Sequence, residues 1–209
     1  MMNDKVQLYF EPEPLEKSIN EKANTLKTSF NKSLKNVDIE MFKSNYEKIP
    51  REIYNLAQKD ANYIGSDTWR FFKDKVKRYC IDECYRNILV ILTDGYMFHE
   101  DSKFEEGVLT SYITPSSLRK LGLNKSNYKQ IIENEGFGFI PANSNLEDLE
   151  ILVLGIVNHD KKNNPYGKDI LEIYWKEWFE KMGVKRFEIY GAELPTNLES
   201  SISNFILSN

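Results

Sequence analysis

The stretch NILVILTDG, residues 87–95, constrains the fold more than any other part of the chain. It is too short for a typical helix and too uniformly apolar for a strand with one face in water. It fits a central parallel strand covered on both faces. LEILVLGIV, from Leu149, is a second run of this kind, and KRFEIYGAEL, from Lys185, is a third strand. Helical patterns separate them. Strands alternating with helices imply right-handed crossovers, and so an α/β fold of the three-layer Rossmann-like type, with a mainly parallel sheet and helices on both faces. Ligands on such sheets gather at the carboxyl ends of the strands, which places Asp94 on the functional rim.

The helices are read from spacing. Leu15, Ile19, Ala23, Leu26, Phe30 and Leu34 recur at intervals of four and three, the stripe of a long amphipathic helix. Before it, KVQLYFEPEP is a short strand stopped by Pro12 and Pro14. Ile39, Phe42 and Tyr46 precede Pro50 and Ile53, Leu56 and Ala57 follow it, so the proline is expected to open a new helix. Ser66 or Asp67 can cap a helix whose buried face is Trp69, Phe72, Val76 and Tyr79 or Cys80. A wide apolar face runs from Ile170 to Met182 and stops at Gly183. Thr196 and Glu199 stand at capping-box spacing before a closing helix. The expectation is one domain over residues 1–209, with an elaborated insertion at 96–145 holding short helices in TPSSLRKLGL and NKSNYKQIIENEG.

With 41% hydrophobic and 13% aromatic residues, the 209-residue chain can bury a sizeable core. Its net charge of −4 exerts no long-range pull on phosphate backbones or anionic membranes, so neither nucleic acid nor membrane is an expected partner. The start, MMNDKVQLYF, lacks the pattern of a secretory signal, and the chain reads as cytoplasmic. Cys80 and Cys84 share a helical face without the partners of a zinc site and read as reduced thiols. No phosphate-cradling glycine loop is present. Trp175, Trp178 and Phe179 are spaced for core packing rather than for stacking on bases.

Asp94 carries the sharpest chemistry. A carboxylate just past a buried strand and followed by glycine can approach a hard cation, and it can equally cap a turn. The order of GSDTW, ILVILTDG, LEILVLGI and KRFEIYGAEL over roughly residues 63–209 resembles a von Willebrand factor A-like domain. The resemblance implies an interaction module that binds a protein partner at the carboxyl rim. It also implies a metal-ion-dependent adhesion site holding Mg²⁺, Mn²⁺ or Ca²⁺. It makes Asp94 the metal-site aspartate and Thr68 the threonine, with Asp67 as the alternative at that position. The Asp-x-Ser-x-Ser loop that follows the first strand in that family occurs nowhere in the chain. Either an upstream segment carries the first strand, the favoured expectation, or VQLYF is that strand and Glu11 and Glu13 stand at its end. An alternative function is a metal-dependent hydrolase in which Asp94, His99, His159 and Asp160 converge on Zn²⁺ or Mn²⁺ and activate water.

Overall fold

The computed structural model describes residues 4–30, 36–59, 65–192 and 195–208. The chain divides into two compact units, Met1–Gly65 and Ser66–Asn209.

In the first unit, β1 (Asp4–Val6) is followed by α1 (Lys17–Thr25), β2 (Thr28–Phe30) and α2 (Asn36–Ala57). β1 and β2 pair antiparallel as a separate two-stranded sheet. Ile19, Ala23 and Leu26 meet Ile53, with Leu8, Phe10, Tyr46, Ile49 and Leu56 packed around them. The long stripe predicted from Leu15 to Leu34 is therefore broken: the helix ends at Thr25, Phe30 belongs to a strand, and Leu34 lies outside the described residues. The Tyr46 hydroxyl donates to the Leu26 carbonyl at 2.7 Å, satisfying an acceptor freed where α1 stops. Pro50 does not open a new helix but sits inside α2. An internal proline costs a helix about 3 kcal/mol. Here Tyr46, Ile49, Ile53 and Leu56 carry one apolar stripe past it, and burying that stripe offsets the lost hydrogen bond.

The second unit opens with α3 (Thr68–Arg70), which runs through a π turn at Phe71–Lys75 into α4 (Val76–Cys80). Asp67 is the cap, accepting the Arg70 N–H at 3.3 Å. β3 (Asn87–Leu92) follows. The insertion holds β4 (Glu105–Glu106), β5 (Leu109–Thr110), α5 (Pro115–Lys120), α6 (Tyr128–Glu135) and β6 (Gly138–Phe139). β4, β5 and β6 form a small sheet of their own. Then come β7 (Leu149–Ile156), α7 (Gly167–Lys181), β8 (Arg186–Gly191) and α8 (Pro195–Leu207). The Thr196 side chain, expected to cap α8, is outside the described residues.

β3, β7 and β8 lie in that order and are all parallel, with Asn87 opposite Leu149 and Glu150 opposite Arg186. The pleat sends alternate residues to opposite faces. Leu152 and Leu154 meet Phe205 of α8, whereas Phe187 meets Phe179 of α7 at 5.4 Å between ring centroids. β7 is the middle strand, buried at every position but Glu150 and Gly155. β3 was expected at the centre too, but among the described residues it forms the edge, leaving Val90 40% and Leu92 76% exposed. An apolar run reports what its side chains avoid, not how many neighbours the strand has.

Aromatic side chains bind the insertion to α7 and α3. Trp178 is fully buried against Phe72 at 4.8 Å and Phe139 at 5.4 Å. Its indole N–H and that of Trp69 both donate to the Ile140 carbonyl at 2.9 Å, so neither buried donor is wasted. Cys80 ends α4 and Cys84 lies beyond it, so the two do not share a helical face. Both are free thiols, and burial pushes Cys80 up to about 12. No described helix is long and apolar enough to cross a membrane.

Candidate functional site

The pairing of β3 with β7 continues past the strand ends: the Thr93 N–H donates to the Leu154 carbonyl and the Val157 N–H to the Asp94 carbonyl, both at 3.0 Å. Asp94 is thereby fixed on the rim beside the loop that leaves β7. Gly95 then turns the chain at φ +94°, where a Cβ would lie 2.7 Å from the Ile156 side chain. Its carbonyl accepts the Trp175 indole N–H at 2.9 Å, which anchors the turn to α7.

Both oxygens of Asp94 are engaged. Oδ1 accepts the Tyr96 N–H at 2.9 Å, the turn-capping bond anticipated for an aspartate here. Oδ2 lies 3.0 Å from His159 Nε2. The imidazole also stacks on Tyr96, with ring centroids 5.8 Å apart and planes inclined by 29°. The pair stays accessible, with Asp94 43% and His159 55% exposed. Burial raises the Tyr96 hydroxyl above its usual range, and that hydroxyl donates to Asn158 Oδ1 at 3.4 Å.

The loop after β7 is held from within. Asn158 is buried, donates to the Asn164 carbonyl at 2.7 Å and accepts the Asp160 N–H at 2.9 Å. Asp160 makes an ion pair with Arg119 of α5, which draws the insertion onto the rim. His159, Asp160, Asp94, Tyr96 and Arg119 thus form one polar surface on ordered backbone.

Asp67 belongs to a different network. Only 2% exposed, it accepts the Ser102 hydroxyl at 2.5 Å and faces Arg70 Nε at 3.4 Å and His99 Nδ1 at 3.5 Å. His99 Nδ1 is buried without a hydrogen bond. The Thr68 hydroxyl is bonded to that of Ser66 at 3.1 Å.

The expected residues are therefore divided. Asp94 and His159 come together, Asp160 is matched to Arg119, and His99 sits with Asp67. The four groups of the hydrolase reading do not form one cluster, and the described residues contain no group of three or more His, Cys, Asp or Glu side chains placed to hold a metal ion. Asp94 and Asp67 stand in separate hydrogen-bond networks, and the Thr68 hydroxyl is bonded to Ser66. The oxygens of Asp67 are taken by a helix cap and Ser102, with a guanidinium beside them, and those of Asp94 by Tyr96 and His159. Glu11 and Glu13 lie in the other unit.

Tyr96, Asn158 and Arg119 went unrecognised in the sequence. Tyr96 and Asn158 adjoin Asp94 and His159, and adjacency was the available signal. Arg119 gave none, because its pairing depends on how α5 is placed. Comparison with family models, with curated proteins and with solved structures finds no match to this chain.

Proposed function

We propose that the Ser66–Asn209 unit is a protein-binding module, von Willebrand A-like in its Rossmann-like architecture, that engages a partner at the carboxyl rim of its sheet without a bridging cation. The observation that carries this reading is the exposed Asp94–His159 pair, held in one orientation by the Tyr96 turn and ring. A preorganised polar group loses little side-chain freedom when a partner arrives. Tyrosine and arginine are also the side chains that interface centres favour, and Tyr96 and Arg119 flank the pair. The order of the parallel strands and the place of Asp94 at the end of the first of them support the architecture. The hydrolase reading lacks comparable support, since His99 sits apart with Asp67 and Asp160 is matched to Arg119.

A photo-crosslinking residue at exposed Lys161, on the rim, tests the proposal against one at exposed Glu180, on α7. In cells producing the chain, the Lys161 position is expected to give a discrete protein adduct and the Glu180 position none. Tyr96→Ala is expected to weaken the adduct roughly tenfold, the loss of one interface anchor. The absence of any adduct from Lys161 would overturn the reading.

A further inference from the structure

An open cavity of about 330 Å³ lies in the insertion, its lining sharing no residue with the rim cluster. Phe98 and Tyr112 line it edge to face, with centroids 6.2 Å apart and planes at 88°. Lys103 lines it as well, its ammonium 5.9 Å from the Phe98 ring and 5.6 Å from the Tyr112 ring. Lys120 also lines it, and neither lysine has an ion-pair partner among the described residues.

The remaining lining is Thr114, Ser116 and Ser117. Ser117 spends its hydroxyl hydrogen on the Thr114 carbonyl at 2.9 Å. Thr114 Oγ1 and Ser116 Oγ, 3.0 Å apart, share one hydrogen bond. That bond needs one hydrogen, so the other hydroxyl hydrogen is left to donate. Among the described residues no carboxylate lines the cavity; the nearby Glu105 accepts the Tyr112 hydroxyl instead. The lining therefore offers two cations, a spare hydroxyl donor and an aromatic surface close to one of the cations.

We propose that this cavity binds a small group combining an aromatic ring with a dianionic phosphate. The lysines complement a charge of about −1.5 to −2 that a single carboxylate does not carry, and Phe98, 37% exposed, offers the ring a partner. A phosphotyrosine side chain and a free mononucleotide share this chemistry. The inference does not depend on how the rim is used.

The test is an amide-resolved NMR titration of the full chain with phenyl phosphate. Saturable shifts are expected at Lys103, Tyr112 and Ser116, with inorganic phosphate and phenol each binding roughly tenfold more weakly because each lacks half of the recognised group. Lys103→Ala with Lys120→Ala is expected to weaken phenyl phosphate roughly tenfold, with unmoved β7 amides showing that the fold persists. Phe98→Ala is expected to weaken phenyl phosphate and leave inorganic phosphate unchanged. N-acetyl phosphotyrosine amide and adenosine monophosphate then separate the two sources by relative affinity. Equal binding of phenyl and inorganic phosphate, indifference to the double lysine change, or no shifts at these amides would overturn the proposal.

Discussion

Glu150 shows how much one side chain can organise where two strands begin and a helix ends beside it. Its carboxylate accepts both Nε and Nη2 of Arg86, at 2.7 and 2.8 Å, and pairs with Arg186 across the β7–β8 register. The same guanidinium groups donate to the last carbonyls of α8, Arg86 to Ile206 at 2.6 Å and Arg186 to Phe205 at 2.8 Å. Cations at a helix carboxyl end also suit its dipole. The hydrogen bond from Arg86 is the first cause holding the Glu150 carboxyl below its usual range. A carboxyl lowered in the folded state contributes stability above its unfolded pKa, about 4.3, and loses that contribution as pH falls through the lower folded value. Glu150→Gln is expected to cost about 1–3 kcal/mol at neutral pH, the worth of charge-assisted hydrogen bonds. It should also flatten the acid limb of the stability curve below about pH 4. Urea unfolding across pH 3–7, in roughly unit steps, checks both. None of this was legible beforehand, because Arg86, Glu150 and Arg186 are far apart in the chain and ordinary in composition.

At the scale of elements, hydrophobic spacing was the reliable guide. α7 lies where the run from Ile170 to Met182 placed it, and Gly183, at φ +84°, follows it. β7 and β8 form from the runs that announced them. The failures share a physical cause: periodicity shows which side faces away from water but not what it faces. The α1 stripe therefore read on into a strand, and β3 read as central. α7 also carries the heaviest packing. Trp178→Ala removes a fully buried indole from between Phe72, Phe139 and Phe179, and is expected to cost about 3–5 kcal/mol. Trp178→Phe should cost distinctly less, because the Ile140 carbonyl keeps its bond from Trp69. Urea midpoints of the two variants at an unchanged slope measure the difference.

For the whole molecule, the α/β character and the parallel pairing were visible in three apolar runs, and Asp94 was placed correctly at the end of the first. Of the rest of the rim, His159 and Asp160 were legible as groups that follow β7, whereas Tyr96, Asn158 and Arg119 were not. His159 was rightly set beside Asp94 but was also grouped with His99, which sits beside Asp67, because a sequence records which residues follow each strand but not which loop each one meets. Arg119 reaches the rim only through the course of the insertion. The three tryptophans, Trp69, Trp175 and Trp178, all lie in the Ser66–Asn209 unit. Tryptophan emission is therefore a built-in optical probe of that unit. Trp175 makes the probe local as well: its indole is hydrogen-bonded to the carbonyl of Gly95, the residue next to Asp94, so the colour of its fluorescence reads the state of the turn on which the rim is built.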